Sequence, residues 1–173
     1  MDPLLYNFLS ELDANSDKKR VVIAMGGNAL NLLNVKDGTK DVDICVFVPD
    51  ADVIDFARVY SRRTKVRVDV FLDGWVQPVR FPDMLQRASH TGSPFSNIEL
   101  FTMNLYDMIL TKVDRWSEKD KADIGSALNK IPCSKREMEE RYTFILSQFY
   151  DNLHETFRTN YTQFLNELGF LLK

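Results

Sequence analysis

The stretch RVVIAMGGNALNLLNVKDGTKDVDI, residues 20–44, contains the pattern that decides the fold. A short β-branched run from Arg20 to Met25 predicts a strand that ends at the glycine pair Gly26-Gly27. The apolar spacing that follows predicts a brief helix over residues 29–33, and a second strand is predicted from Val42 to Val48. The order strand, glycine turn, helix, loop, strand is typical of a mixed α/β fold.

The rest of the chain divides into a mixed first part and a helical last part. An amphipathic helix is predicted behind Asp2-Pro3, where apolar residues recur at helical spacing. The elements predicted after the second strand are a helix over 51–60 capped by Pro49-Asp50, a strand over 65–72, a short helix over 82–88, a strand over 98–103, and helices that open at Asn104, Ser117 and Ser134. We therefore expect a small mixed β-sheet flanked by helices over residues 1–103 and a helical C-terminal subdomain over 104–173, the two forming one compact unit.

The last helices share one apolar stripe. Its members are Met138, Tyr142, Ile145, Leu146, Phe149, Leu153 and Phe157, and after a break near Thr159-Asn160 it continues through Tyr161, Phe164, Leu165 and Leu168. Such a stripe is typical of a core, or of a surface that binds a second copy or a partner protein, more often than of a ligand site.

Composition excludes several classes of protein. The 173 residues are 45% apolar, which suits one domain, and 22 Lys and Arg against 25 Asp and Glu give a net charge of −3, unlike a basic nucleic-acid coat. The two cysteines and two histidines are scattered, which argues against a structural zinc site or a disulfide scaffold. Neither a membrane span nor a secretory leader is predicted, so the expected compartment is the cytoplasm.

Asp41 and Asp43 stand two residues apart on the second predicted strand, so both carboxylates project from one face. Val42 and Ile44 then enter the core. The Cα atoms of the two acids are about 7 Å apart, and two unit charges about 6 Å apart repel by roughly 3 kcal/mol at an effective dielectric of about 20. A bound cation relieves that repulsion, which makes the pair a candidate magnesium or manganese site.

A third acid, Asp69, interrupts the apolar strand over 65–72 and joins the pair if the two strands lie side by side. Three converging carboxylates form a metal site suited to phosphoryl transfer. The alternative is that Asp69 makes a structural ion pair with Lys65 or Arg67, which share its face. The basic cluster Arg62, Arg63, Lys65 and Arg67 either guides an RNA end or a triphosphate towards the acids or protects an edge strand by its charge.

The turn Gly26-Gly27-Asn28 is the candidate phosphate cradle. Backbone N–H groups can approach an anion where a strand runs through glycines into a helix. The alternative is a tight turn that needs a positive φ angle and binds nothing.

These residues resemble the nucleotidyltransferase superfamily related to DNA polymerase beta. Its pattern is an apolar residue, Gly, Gly or Ser, a spacer, and then Asp-apolar-Asp-apolar. This chain reads Met25-Gly26-Gly27, thirteen residues, and Asp41-Val42-Asp43-Ile44, with Thr39 two residues before the first acid. The resemblance implies that Asp41 and Asp43 bind magnesium or manganese and that Asp69 completes the metal site or accepts the proton of an acceptor hydroxyl.

A second block, residues 107–124, resembles the helical segment of the small uncharacterised and toxin-like branches of that superfamily. The resemblance implies that Lys112 contacts a nucleoside triphosphate, with Arg115 beside it. The alternative is a solvated, salt-bridged helix face. Two departures bear on binding, because relatives often have Ser at the position of Asn28 and Arg at the position of Asp37.

The resemblance implies a metal-dependent enzyme that moves a nucleoside monophosphate from a nucleoside triphosphate to an RNA, protein or small-molecule acceptor and releases pyrophosphate. The small branches that this chain resembles are uncharacterised or toxin-like, so the resemblance implies a toxin–antitoxin role as one expectation. The competing hypothesis is a catalytically silent member of the fold that binds a nucleotide or a partner protein.

Overall fold

The computed structural model describes residues 1–72, 79–92, 94–149 and 155–173. Packing divides these residues into two compact units. Unit 1 comprises the described residues up to Asn104 apart from Val79, and unit 2 comprises Val79 and the described residues from Leu105 to Lys173. Within the described ranges, none of the helices combines the length and the apolar character needed to cross a membrane.

Unit 1 contains a mixed five-stranded sheet with helices packed on it. The elements are α1 (Pro3–Ala14), β1 (Arg20–Ala24), α2 (Gly26–Leu32), β2 (Asp41–Val46), a 3-10 turn (Val48–Asp50), α3 (Asp52–Thr64), β3 (Arg67–Leu72), α4 (Phe81–Arg87), β4 (Ser89–His90) and β5 (Ile98–Thr102). The strand order is β3-β2-β1-β5-β4. β1 runs antiparallel to β2 and parallel to β5, β2 runs parallel to β3, and β4 runs antiparallel to β5. The predicted mixed sheet flanked by helices is confirmed.

The core of unit 1 lies between one face of the sheet and the helices α1 and α3. Phe8 of α1 packs edge-on against Tyr60 of α3, with ring centroids 5.2 Å apart. Val42 and Ile44 of β2 belong to this core and are fully buried. Because side chains alternate along a strand, the residues between them face the other side of the sheet.

Unit 2 is helical, with α5 (Leu105–Arg115), α6 (Glu118–Lys130), α7 (Lys135–Phe149), α8 (Glu155–Leu168) and a terminal 3-10 turn (Gly169–Leu171). The predicted cap at Ser117 is confirmed, since its hydroxyl accepts the N–H of Asp120. The predicted apolar stripe supplies core residues of this unit, and Met138, Ile145, Phe157 and Phe164 are fully buried. Leu153 lies outside the described residues.

Two predictions about helix ends are wrong. Asp50 does not cap α3, because its carboxylate accepts a hydrogen bond from Arg20 at 2.9 Å and the helix begins after a 3-10 turn. The predicted break near Thr159-Asn160 lies inside α8, where the Asn160 side chain donates to the backbone carbonyl of Asp114 at 2.9 Å. A polar residue in the middle of that helix therefore serves a tertiary contact rather than a turn.

Candidate active site

Asp41 and Asp43 lie on the face of β2 opposite the core of unit 1. Both are half-buried, whereas Val42 and Ile44 are fully buried. The prediction that the two carboxylates share one face is confirmed. Asp41 accepts a hydrogen bond from the Thr39 hydroxyl at 2.7 Å, which fixes its carboxylate at the start of the strand.

Asp69 lies beside these acids because β2 and β3 pair in parallel. The register places Asp43 opposite Asp69 and Asp41 opposite Arg67, and neighbouring strands are about 4.8 Å apart. The Arg67 guanidinium pairs with the Asp69 carboxylate at 2.7 Å and donates a second hydrogen bond at 3.1 Å. The alternative to a metal-binding role for Asp69, a structural ion pair with Arg67, is therefore present.

The charges of all three acids act on the Arg67 guanidinium. Its pKa is raised above the usual value, first by the hydrogen bond to Asp69, then by the charge of Asp69, with further contributions from the charges of Asp41 and Asp43. The guanidinium thus supplies positive charge to the face on which a metal ion was predicted. Its side chain is 74% exposed, so it can move aside at little structural cost.

The donor set fits a hard divalent cation, since carboxylate oxygens are the ligands that magnesium prefers. The carboxylates are nevertheless not gathered into a finished coordination shell. Among the described residues, no group of three or more His, Cys, Asp or Glu side chains is arranged to hold a metal ion. A metal at Asp41, Asp43 and Asp69 stays a prediction.

The glycines that begin α2 make room for the acidic strand. Gly26 has a φ angle of +49°, and a Cβ atom there would lie 2.4 Å from the Asp43 carboxylate. A Cβ atom on Gly27 would lie 2.6 Å from the Thr39 hydroxyl oxygen. The structure therefore explains both glycines by backbone conformation and close approach, while a phosphate cradle over this turn stays a prediction.

Asn28 ties the glycine turn to β2. Its side-chain oxygen accepts the backbone N–H of Asp43 at 2.7 Å, and the Met25 N–H donates to the Asp43 carbonyl at 2.9 Å. Asn28 is fully buried, and its side-chain nitrogen has no hydrogen-bond partner among the described residues. In this arrangement Asn28 positions an acid, and its predicted phosphate contact stays a prediction.

Lys112 and Arg115 belong to an ion-pair cluster inside unit 2. The Lys112 ammonium lies 3.2 Å from Asp120 and 2.8 Å from Asp123, and Arg115 pairs with Asp120 at 2.8 Å. Lys112 is 3% exposed. The alternative to a nucleotide contact, a salt-bridged helix face, is therefore present, but its lysine is buried rather than solvated. The contact of Lys112 and Arg115 with a triphosphate stays a prediction.

Burial acts to raise the pKa of Asp120, but the Ser117 hydrogen bond and the charges of Lys112 and Arg115 more than offset it, and the net shift is downward. The cluster is thus arranged to keep Asp120 charged.

A protein-family model matches residues 4–168, and the family is described as a nucleotidyltransferase of unknown function (DUF6036). The chain belongs to this family. The match confirms the nucleotidyltransferase resemblance inferred from the glycine turn and the paired acids.

One solved structure resembles this nucleotidyltransferase-family chain over nearly its whole length. It is an antigenic nucleotidyltransferase-like protein from Paracoccidioides brasiliensis, with a TM-score of 0.54 and 16% identity over 97% of this chain and 88% of that chain. At such low identity the likeness concerns the fold. A search of curated proteins finds no significant match.

One positioning residue of this nucleotidyltransferase-family chain was missed by sequence reasoning. The Asp2 carboxylate caps α1 by accepting the Leu4 N–H at 2.8 Å, and its second oxygen accepts the Thr39 N–H at 3.1 Å. Asp2 thereby holds the loop whose Thr39 hydroxyl binds Asp41. The Asp-Pro pair signals the helix cap, but no local pattern signals a contact across 37 positions.

Proposed function

We propose that this chain is a metal-dependent nucleotidyltransferase that moves a nucleoside monophosphate from a nucleoside triphosphate to an acceptor hydroxyl. The observation that carries the proposal is the register of β2 and β3, in which the two acids of β2 share a face and Asp43 lies opposite Asp69. Acids collected on one half-buried face repel one another. A divalent cation and a polyphosphate would use that arrangement.

Asp41 and Asp43 are the proposed ligands of magnesium or manganese. When bound, the metal would neutralise phosphate charge and stabilise the attacking and leaving oxygens. Thr39 orients the Asp41 carboxylate through its hydroxyl, and Asn28 fixes the backbone of Asp43. Both acids would therefore meet the ligand with little rearrangement, which favours binding.

Asp69 would either complete the metal site or accept the proton of the acceptor hydroxyl. In either role its carboxylate must leave the ion pair with Arg67. The exposure of Arg67 supports this exchange, because a solvent-exposed ion pair contributes little to stability. The released guanidinium would then be available to the phosphates.

Lys112 and Arg115 are proposed to contact the triphosphate, on the resemblance of their helix to the toxin-like branch. Arg115 is the more accessible, with a side chain that is 64% exposed against 4% for Lys112. The acceptor would be an RNA, a protein or a small molecule, and a toxin–antitoxin role would fit a protein acceptor.

A catalytically silent nucleotide- or partner-binding module is the second candidate. The Arg67–Asp69 ion pair favours it, because a cation of the chain itself already neutralises the third acid. The two candidates differ in whether pyrophosphate is released.

The test is thermal unfolding of the wild type and of the Asp41→Asn/Asp43→Asn double variant, each with and without manganese and ATP, GTP, CTP or UTP. A ligand present at about 100 times its Kd stabilises the folded state by about 2.7 kcal/mol, and we expect this gain in the wild type alone. Asp55→Asn/Glu118→Gln is the matched control, since it removes two exposed acids elsewhere.

Equal stabilisation of the wild type and the double variant would contradict a site at Asp41 and Asp43. Stabilisation of the wild type without pyrophosphate release, in the presence of candidate acceptors, would favour the silent module.

A further inference from the structure

The sheet of unit 1 ends at β3, which in the described part of the chain pairs with β2 and with no other strand. The outer edge of such a strand presents backbone N–H and C=O groups that no neighbouring strand uses. The helix α3 runs beside this edge, and an open groove of about 520 Å³ lies between residues of α3 and Arg67–Phe71 of β3. The groove therefore combines a helix wall with an accessible strand edge.

The groove is positively charged although the whole chain carries a net charge of −3. Three arginines, Arg58, Arg62 and Arg67, line it together with one acid, Asp69. Arg58 pairs with Asp55 and Arg67 pairs with Asp69. Arg62 is exposed and has no hydrogen bond or ion pair among the described residues. The charge of Arg62 is therefore not neutralised by an ion pair with a described residue at this edge.

Charge that protects an edge strand from aggregation sits on the strand itself. Arg67 fits that explanation, whereas Arg58 and Arg62 project into the groove from the helix. Apolar side chains of both elements, among them Ala57 and Val68, line the same groove. A ligand of mixed character, apolar and acidic, would match this lining.

We propose that this groove binds an extended acidic segment of a partner protein, which adds as a strand beside β3. The backbone of the segment would pair with the edge of β3, its carboxylates would meet Arg58 and Arg62 on the helix side, and its alternate apolar side chains would lie on the other face, beside Phe71. Strand addition of this kind draws affinity from backbone hydrogen bonds and specificity from alternate side chains. This function does not require nucleotidyl transfer, although the groove shares Arg67 and Asp69 with the candidate active site.

Other occupants match the groove less well. A second copy paired through the same edge would bring like-charged arginines together, which is unfavourable. Single-stranded nucleic acid is bound through a series of aromatic stacking surfaces, and Phe71 is the one aromatic lining residue in the described chain. Nucleic acid would also leave the backbone edge of β3 unpaired, which a peptide strand would not.

The test measures binding of a fluorescent peptide of alternating glutamate and valine to the intact chain by fluorescence anisotropy. We expect Arg62→Glu to weaken binding about tenfold. Lys119→Glu is the matched control, because it makes the same charge change at an exposed position of α6, and we expect it to stay within about twofold of the wild type. Arg62 has no partner to lose, so its variant should fold.

A second peptide with alternate backbone amides methylated keeps every charge but loses the donors that an added strand needs. We expect it to bind at least about tenfold more weakly, and we expect the unmodified peptide to slow hydrogen exchange in Arg67–Leu72. Equal binding of the two peptides, or no effect of Arg62→Glu, would overturn the proposal. A single-stranded RNA that binds while the peptide does not, or a dimer of the chain that Arg62→Glu alters, would replace it with one of the other occupants.

Discussion

Asp107 and Asp120 of unit 2 are buried and paired with buried cations, whereas the acids on β2 of unit 1 are half-buried and lie side by side. Asp107 is fully buried and pairs with Arg141, which is 5% exposed. Asp120 and Asp123 share Lys112. In unit 1, Asp41 accepts a neutral hydroxyl, and the cation beside the three acids, Arg67, is exposed.

This difference in burial and pairing distinguishes acids that stabilise the fold from acids that are accessible to a ligand. A buried ion pair is strongly coupled to folding, because loss of one partner leaves an uncompensated charge in a medium of low dielectric. A half-buried acid that faces solvent contributes little to stability and can exchange its partners. Substitutions at the buried ion pairs should therefore change stability more than substitutions at the half-buried acids.

Arg141→Met should lower the free energy of unfolding by about 3–5 kcal/mol, since it leaves the Asp107 carboxylate buried without its cation. Urea denaturation measures the loss. Arg136→Met is the control on the same helix, where the exposed pair with Glu140 should contribute far less to the free energy of unfolding. A loss equal to that of the control would contradict a structural role for the buried pair.

Lys112→Met should lower the free energy of unfolding by about 3 kcal/mol, because the buried Asp120 and the partly buried Asp123 lose their shared cation. Arg115→Met should cost less than about 1 kcal/mol, since its side chain is largely exposed. The proposed triphosphate contact adds a second expectation, that both variants weaken ATP binding measured by calorimetry. Unchanged ATP affinity in a folded Lys112→Met protein would contradict that contact and leave Lys112 structural.

Gly26→Ala should lower the free energy of unfolding by about 1–3 kcal/mol, since the position has a positive φ angle and the new methyl would collide with the Asp43 carboxylate. Gly125→Ala in α6 is the opposite case. Its methyl would lie 4.0 Å from Leu168, an ordinary contact, and replacing a helical glycine should raise stability by about 0.5–1 kcal/mol. Equal effects of the two changes would refute the close approach at Gly26.

Local patterns in the sequence predict much of unit 1. The alternation of β2 is enough to put Asp41 and Asp43 on one face, and the apolar run of β3 is enough to suggest that Asp69 lies beside them. The two-residue strand β4 is too short to show a period, and the helix that runs through Asn160 contradicts a break inferred from polar residues. The periodicities of helices and strands are local properties of the sequence, so they can be recognised without knowledge of the tertiary structure.

Partners of charged side chains are harder to predict than strands. The same acids lie near Lys112 in the sequence whether its ammonium binds a nucleotide or pairs with Asp120 and Asp123, so the sequence does not distinguish the two roles. Asp2 and Thr39 meet only after the chain folds back on itself. The sequence therefore identifies the residues of the candidate site better than it identifies their contacts.

Asp120 should make stability depend on pH. Its folded pKa lies below the ordinary value of 3.8, so its contribution is fully present above that value and is lost as the pH falls through the folded pKa. The stability difference between the wild type and Asp120→Asn should thus be largest near neutral pH and shrink below pH 3.8. Glu118→Gln, at a largely exposed acid of the same helix, is the control. A difference that does not change with pH would contradict the ion-pair origin of the effect.

Asp43→Asn should have the smallest effect and the opposite sign. Removing one of two neighbouring charges should raise the stability of the metal-free protein by less than about 1 kcal/mol, because Arg67 and solvent already screen the repulsion. Manganese should then stabilise the wild type and leave the variant unchanged, which reverses their order in thermal unfolding. Asp55→Asn, at an exposed ion pair of α3, should show no such reversal. Equal destabilisation of Asp43→Asn with and without manganese would place Asp43 with the structural acids of unit 2.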